Sequence, residues 1–249
     1  MSKTKFKNSI EFEVWGDEAL FSEVLTRIGG EKFSMDYPTY EALKGIVHSI
    51  YYKPTIMWII DEVRIMNPVK RIRKGILTKK HDGSTGRSYY AYLRNVRYQV
   101  KAHFEWNDNR PELACDRNEN KHHNIAKKAL EHGGRRDIFL GARECQAYVR
   151  PCKFGEGESV FDNVGEINLG HTYHGITYAD EAINEDDKGY MTVRFWDAKM
   201  VNGVIKFCRP EQCTVKRHIH KMSIKPFGKE NGNFSGLKEF KEEEVNGLE

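Results

Sequence analysis

The chain has 249 residues, 39% hydrophobic and 31% charged, with a formal net charge of +4. That balance belongs to a globular protein long enough to bury a sizeable core, and it excludes a chain too polar to fold. The most apolar run, residues 55–60, is far too short to cross a bilayer, and the first residues lack the apolar segment of a secretory signal, so a cytoplasmic protein with no membrane partner is expected.

Residues 10–15 alternate Ile10, Phe12 and Val14 with Glu11, Glu13 and Trp15, which predicts a half-buried strand ended by Gly16-Asp17. A long connection, 19–35, contains Gly29-Gly30. Thr39 then reads as the N-cap of a helix with Leu43, Ile46, Val47 and Ile50 on its inner face. Gly45 costs this helix roughly 1 kcal/mol against Ala, which suggests close packing at that position. Pro54 ends the helix after Tyr51-Tyr52-Lys53. Residues 55–66 read as a strand closed by Pro68.

A basic stretch follows. Residues 69–98 carry nine Lys or Arg and one Asp, a local field suited to a polyanion such as nucleic acid, or simply a solvated segment. It reads as a flexible loop or a long hairpin arm. Residues 95–106 form the clearest strand, with Val96, Tyr98, Val100, Ala102 and Phe104 on one side and Arg97, Gln99, Lys101, His103 and Glu105 on the other. A second helix is expected over about 121–132 with Asn120 as N-cap, stopped by Gly133-Gly134. A strand through Ala147 and Val149 reaches Pro151.

The order strand, helix, strand, strand, helix, strand is the split βαβ pattern, so the fold class is α+β, ferredoxin-like (RRM-like) βαββαβ over 1–153. Strand-like stretches at 166–178, 190–200 and 203–208, with Asn202-Gly203 as a hairpin signal, predict an appended antiparallel sheet over 154–226. The remainder, 227–249, is polar, with six acidic residues and three lysines from position 229 on, and reads as a disordered tail.

The chemistry-bearing stretch is 116–124, DRNENKHHN. Lys121, His122 and His123 would occupy the first turn of the second helix, where partial positive charge disfavours cations. A phosphate bound among them explains the placement; a solvated polar helix start is the alternative. Metal-free RNA cleavage uses the 2′-OH as nucleophile and needs proton transfer and positive charge at the phosphate. An imidazole and a lysine supply those parts, and Tyr51 or Tyr52 could supply a hydroxyl. The five cysteines are odd in number and form no C-x-x-C, so free thiols and no structural zinc are expected. His171 and His174 should point to opposite strand faces, while His218 and His220 share one and could chelate a metal.

Six blocks carry a family resemblance: FEVWGDEALF, YPTYEALKGIVHSIYYKP, HFEWNDNRPEL, DRNENKHH, GGRRDIFLGARECQAYV and RFWDAKMVNGVIKFCRP, in order across nearly the whole chain. The chain resembles the subtype I-C CRISPR-associated endoribonucleases, the d (Dvulg) variant of Cas family five. The resemblance implies a ferredoxin-like fold with a C-terminal sheet. It also implies cutting of precursor CRISPR RNA at the base of the repeat hairpin, without metal or other cofactor, leaving 2′,3′-cyclic phosphate and 5′-OH ends. It places the catalytic tyrosine on Tyr51 and the Lys-His pair on Lys121 and His122; Tyr52 is then a bystander and His123 an auxiliary candidate. The implied partners are the repeat hairpin, the mature crRNA 5′ handle, and the backbone and large subunits of a type I-C surveillance complex.

For RNA contacts the basic stretch and strand face offer Lys70, Arg71, Arg73, Lys74, Arg97 and Lys101, with Arg135 and Arg136 near the second helix. Two competing classes remain: a non-catalytic crRNA-binding subunit, and a metal-dependent DNA nuclease that would need a carboxylate cluster, with Asp116 and Glu119 as candidates.

Overall fold

In a computed structural model, the described residues are 8–23, 26 and 30–224. The expected tail, 227–249, lies outside them. The central element is β4 (Thr85–Trp106), a strand of 22 residues. On its one side runs β1 (Ser9–Ala19), paired antiparallel with Phe12 opposite Val100 and Val14 opposite Tyr98. On the other runs β2 (Ile56–Ile65), with Trp58 opposite Phe104 and Val63 opposite Val100. The period-2 alternation read from the sequence puts Phe12, Val14, Val100, Ala102 and Phe104 on one face, all 0% exposed.

Two helices cover that face. α1 (Tyr40–Ile50) is capped by Thr39, whose side chain accepts the Ala42 N–H at 3.2 Å, and it buries Leu43, Ile46, Val47 and Ile50. α2 (Glu119–Glu131) begins two residues earlier than expected. Its N-cap is Asn118, not Asn120, because the Asn118 side chain accepts the Lys121 N–H at 3.0 Å. Gly133 and Gly134 stop it with φ of +82° and +102°. Close packing at Gly45 does not occur: the residue is exposed, and a Cβ added there meets nothing within 4 Å.

The basic stretch is a hairpin arm. β3 (Arg71–Lys79) pairs antiparallel with the first half of β4, from Arg71 opposite Leu93 to Lys79 opposite Thr85. β4 passes without a break through Asn95, which takes a φ of +53° where the arm meets the body. Beyond α2 lie β5 (Ile138–Phe139) and β6 (Gln146–Pro151), and β6 pairs with β1.

The C-terminal strands β7 (Glu166–Thr177), β8 (Tyr190–Val201), β9 (Val204–Lys206) and β10 (Val215–Lys221) continue the same sheet. β8 and β9 form a tight hairpin at Asn202-Gly203, both with positive φ as a two-residue turn of this kind requires. β9 then pairs with β2. The sheet has ten strands in the order β10-β8-β9-β2-β4-β1-β6-β5, with β3 on β4 and β7 on β8. The architecture is α+β, a mostly antiparallel sheet with few helices. No helix among the described residues is long and apolar enough to cross a membrane.

Candidate active site

Tyr51 caps the C-terminus of α1. Its N–H reaches the Val47 carbonyl at 2.8 Å, and its own carbonyl accepts the Trp58 indole N–H at 2.8 Å. This anchoring at both ends of the peptide unit aims the ring inward, and the residue is 0% exposed. His122 lies on the inner face of α2, in its second turn, and is also 0% exposed. The two side chains meet: Tyr51 Oη is 2.9 Å from His122 Nδ1. The rings of Trp106 and Phe104, 5.6 and 6.2 Å away between centroids, wall the imidazole from the β4 side.

The partners of His122 fix its tautomer. Nε2 sits 2.8 Å from the backbone oxygen of Asp116, which can only accept, so Nε2 carries the proton. In the neutral ring Nδ1 is then the acceptor, and the Tyr51 hydroxyl donates to it. Burial pushes the Tyr51 hydroxyl pKa up, and the Arg135 guanidinium, 5.1 Å above the ring, opposes that. The phenol therefore stays protonated near neutrality.

Lys121 faces outward, with its side chain 47% exposed, and its Nζ pairs with Asp116 Oδ1. Asp116 Oδ2 also accepts the Thr55 hydroxyl at 2.9 Å and lies 3.5 Å from His122 Nε2. The Lys121 bond, with help from Thr55, holds the Asp116 carboxyl below its usual range. The arrangement is a buried phenol–imidazole pair with one ammonium at its lip, and it can move a proton and hold an anion. His123 is half-buried, one position further along α2. Tyr52 turns away, 44% exposed, beside His48.

The other residues singled out in the sequence divide into two groups. Arg135 and Arg136 belong to the site's surroundings: both donate backbone N–H groups to Ser49 O, at 3.1 and 3.0 Å, and Arg136 Nη2 donates to His48 O at 2.7 Å. Lys70, Arg71, Arg73 and Lys74 do not. Arg71 lies opposite Leu93 on β4, whereas the His122 end of β4 is Trp106, so at about 3.3 Å per residue the separation is up to about 40 Å. Arg71 pairs with Asp36 and stacks over Phe33, while Lys74 lies 2.5 Å from Glu18 Oε2 and over the Tyr92 ring. Arg97 pairs with the buried Glu13, and Lys101 sits in register between Glu11 and Glu62. Arg97 and Lys101 are therefore engaged with, or flanked by, acidic neighbours.

Sequence reasoning missed the roles of Asp116 and Thr55 here. Asp116 entered only as half of a carboxylate pair, and the structure gives it to Lys121 and Thr55. The single grouping of three or more metal-ligating side chains among the described residues is elsewhere, at His174, Cys208 and Cys213. His171 and His174 do point apart: His171 is exposed and His174 is buried.

A family model described as CRISPR-associated protein (Cas_Cas5), of the Cas5d type, matches residues 9–208. The chain is 26% identical over 229 residues to the CRISPR pre-crRNA endoribonuclease Cas5d of Mannheimia succiniciproducens, covering 80% of this chain and 94% of that protein. A solved structure of a CRISPR-associated protein is similar with a TM-score of 0.69 and 32% identity, covering 87% of this chain and all (100%) of that one. A functionally uncharacterised protein from Streptococcus mutans superposes with a TM-score of 0.71 and 33% identity, over 86% of this chain and 100% of its own. With a matched core that includes Tyr51, Lys121 and His122, the chain belongs to the Cas5d family of CRISPR-associated proteins.

Proposed function

We propose that the chain is an endoribonuclease that cuts precursor CRISPR RNA once per repeat, at the base of the repeat hairpin, with no metal in the chemical step. The observation that carries this reading is the 2.9 Å contact between Tyr51 Oη and His122 Nδ1, beside an exposed Lys121. The reaction needs a base for the 2′-OH, whose oxygen bonds to the adjacent phosphorus while the P–O5′ bond breaks and the 5′-oxygen gains a proton. The products are a 2′,3′-cyclic phosphate and a 5′-OH. In this reading Tyr51 orients the attacking hydroxyl and relays its proton to His122, which serves as the acid–base group. Lys121 leaves Asp116 to hold the scissile phosphate as a point charge. His123 is an auxiliary group only.

The ferredoxin-like reading of the first 153 residues is supported by the order β2-β4-β1-β6, with one helix after the first strand and one after β4. The basic arm (Lys70, Arg71, Arg73, Lys74) and the open sheet face (Arg97, Lys101) hold RNA away from the cut, and Arg135 and Arg136 hold it near the cut. After cleavage the protein stays on the 5′ handle in the cytoplasm and joins the backbone and large subunits of a type I-C surveillance complex.

The test is cleavage of the cognate repeat RNA with chemical mapping of the product ends. A 2′-deoxy nucleotide at the cut site should abolish cleavage and leave binding intact. Binding without cleavage of the all-ribose repeat assigns the chain instead to a non-catalytic 5′-handle subunit. Cleavage that needs added metal, or that extends to DNA, overturns the mechanism.

A further inference from the structure

A second constellation lies apart from Tyr51, beside the other end of α1. His174 of β7 and Cys208 and Cys213 of the loop between β9 and β10 bring their donor atoms within 4.8 Å of one another. His174 is 0% exposed and Cys213 7%, so the group is built into the core rather than scattered on the surface. The two sulfurs are 3.6 Å apart. Two thiolates on a tetrahedral zinc, with Zn–S bonds of about 2.3 Å, stand about 3.8 Å apart. A disulfide requires about 2.0 Å.

The imidazole is held in place by its neighbours. His174 Nε2 lies 3.0 Å from the backbone oxygen of Cys208, which turns the ring toward the 208–213 loop. The ring is held flat against Tyr40, 4.2 Å between centroids, with Trp196 and Phe207 on its edges. Two charged groups must be accommodated. Arg194 Nε lies 3.4 Å from His174 Nδ1, and its Nη2 is 3.9 Å from Glu41 Oε2. A divalent ion with two thiolates is neutral, and the Arg194–Glu41 pair adds no net charge.

We propose that His174, Cys208 and Cys213 form a binding site for one thiophilic divalent cation, Zn2+ by its ligand chemistry, with water at the fourth position. The site is separate from the residues proposed for RNA cleavage. Tyr40, against which His174 stacks, opens α1, and Tyr51 caps its far end; 11 helical residues at about 1.5 Å each put some 16 Å between them. The metal would fasten β7 and the 208–213 loop to the start of α1. That loop also carries Arg209, whose two Nη atoms clamp Glu105 of β4 at 2.9 Å each.

The test is metal analysis of the full chain, purified without a metal-binding tag from cells supplied with Zn2+. About one Zn2+ per chain should survive desalting. Exchange for Co2+ should give the strong visible absorption of a tetrahedral thiolate complex. Cys208→Ser with Cys213→Ser should lose the metal, whereas His218→Gln with His220→Gln should keep it. If the serine variant does not fold, alkylation of the wild-type chain decides: bound metal should shield Cys208 and Cys213, a chelator should expose both, and the exposed Cys115 should react either way. A chain without stoichiometric metal, a serine variant that retains it, or a Cys208–Cys213 disulfide in protein prepared without reductant overturns the proposal.

Discussion

Tyr51→Phe removes one oxygen and little else, which makes it the sharpest probe of the candidate site. The hydroxyl makes a 2.9 Å hydrogen bond to His122 Nδ1, buried beside the rings of Phe104 and Trp106. Without it, Nδ1 is a buried acceptor with no donor, at a cost of about 1–3 kcal/mol. For a chain of this size each kcal/mol lowers Tm by about 2–4 °C, so a fall of about 2–12 °C is expected. If Tyr51 also handles the 2′-OH proton, single-turnover cleavage of the cognate repeat should slow by about 100- to 10,000-fold. The assay runs at saturating protein, well below the Tm of the variant, with Kd measured alongside. The combination expected is a large loss of rate, a modest loss of stability and an unchanged Kd. Cleavage within about 3-fold of wild type, with the Tm drop present, would reduce Tyr51 to a packing residue and refute the relay.

The other predictions concern the surroundings. Asp116→Asn should free Lys121 from its surface ion pair, worth up to about 1 kcal/mol, and tighten repeat RNA binding by up to about 5-fold; weaker binding would show that Asp116 does not compete with phosphate. Arg73→Ala on the exposed arm should lower the slope of log Kd against log salt by about one and leave single-turnover cleavage at saturation unchanged; an unchanged slope removes Arg73 from the RNA path. His103 should titrate late: burial pulls its pKa down, but Asp61 at 2.9 Å and Glu105 at 3.5 Å outweigh burial and raise it to about 9. Its stabilising contribution is then complete below about pH 6.5 and lost as pH rises through about 9, an effect absent in His103→Gln; an NMR titration midpoint below 6.5 contradicts this. Gly45→Ala should stabilise the protein by about 0.5–1 kcal/mol, because the site is open and helical; destabilisation in a thermal melt would mean that the face is covered.

The elements that bury one regular face were legible in the sequence. Alternation over Ile10, Phe12 and Val14, and 3.6-residue spacing over Leu43, Ile46, Val47 and Ile50, follow directly from strand and helix geometry. The sequence does not separate loop from hairpin over the arm because both faces of β3 are largely exposed, so no apolar period marks it. The two-residue error at the start of α2 has a local cause. Asn118 and Asn120 are equally good caps by residue type, and only the hydrogen bond to the Lys121 N–H distinguishes them. Gly45 misled because a helical glycine can reflect close packing or nothing at all, and burial alone tells which. The Tyr51–His122 contact joins residues 71 apart and has no signature of its own; the family resemblance pointed to both residues, and the geometry then brought them together. The cysteine cluster stayed hidden for the same reason. Cys208 and Cys213 have the wrong spacing for a familiar motif, and His174 comes from a different strand.

The cations at the start of α2 posed a physical question that the structure answers in part. Lys121, in the first turn, lies where the helix dipole disfavours positive charge, and an anion is needed nearby. The structure supplies one from the chain itself: the Asp116 carboxylate, two residues before the cap, which binds Lys121 Nζ and lies 3.5 Å from His122 Nε2. Thr55 holds the carboxylate there. This internal anion balances the Lys121 charge in the free protein. In the proposed mechanism a scissile phosphate has only to outcompete one partly exposed carboxylate for Lys121, a contest worth about 1 kcal/mol or less. In the proposed reading, binding energy for the rest comes from the distant arm and from Arg135 and Arg136, so affinity and chemistry are carried by different parts of the chain. Arm variants should therefore act on Kd and site variants on rate.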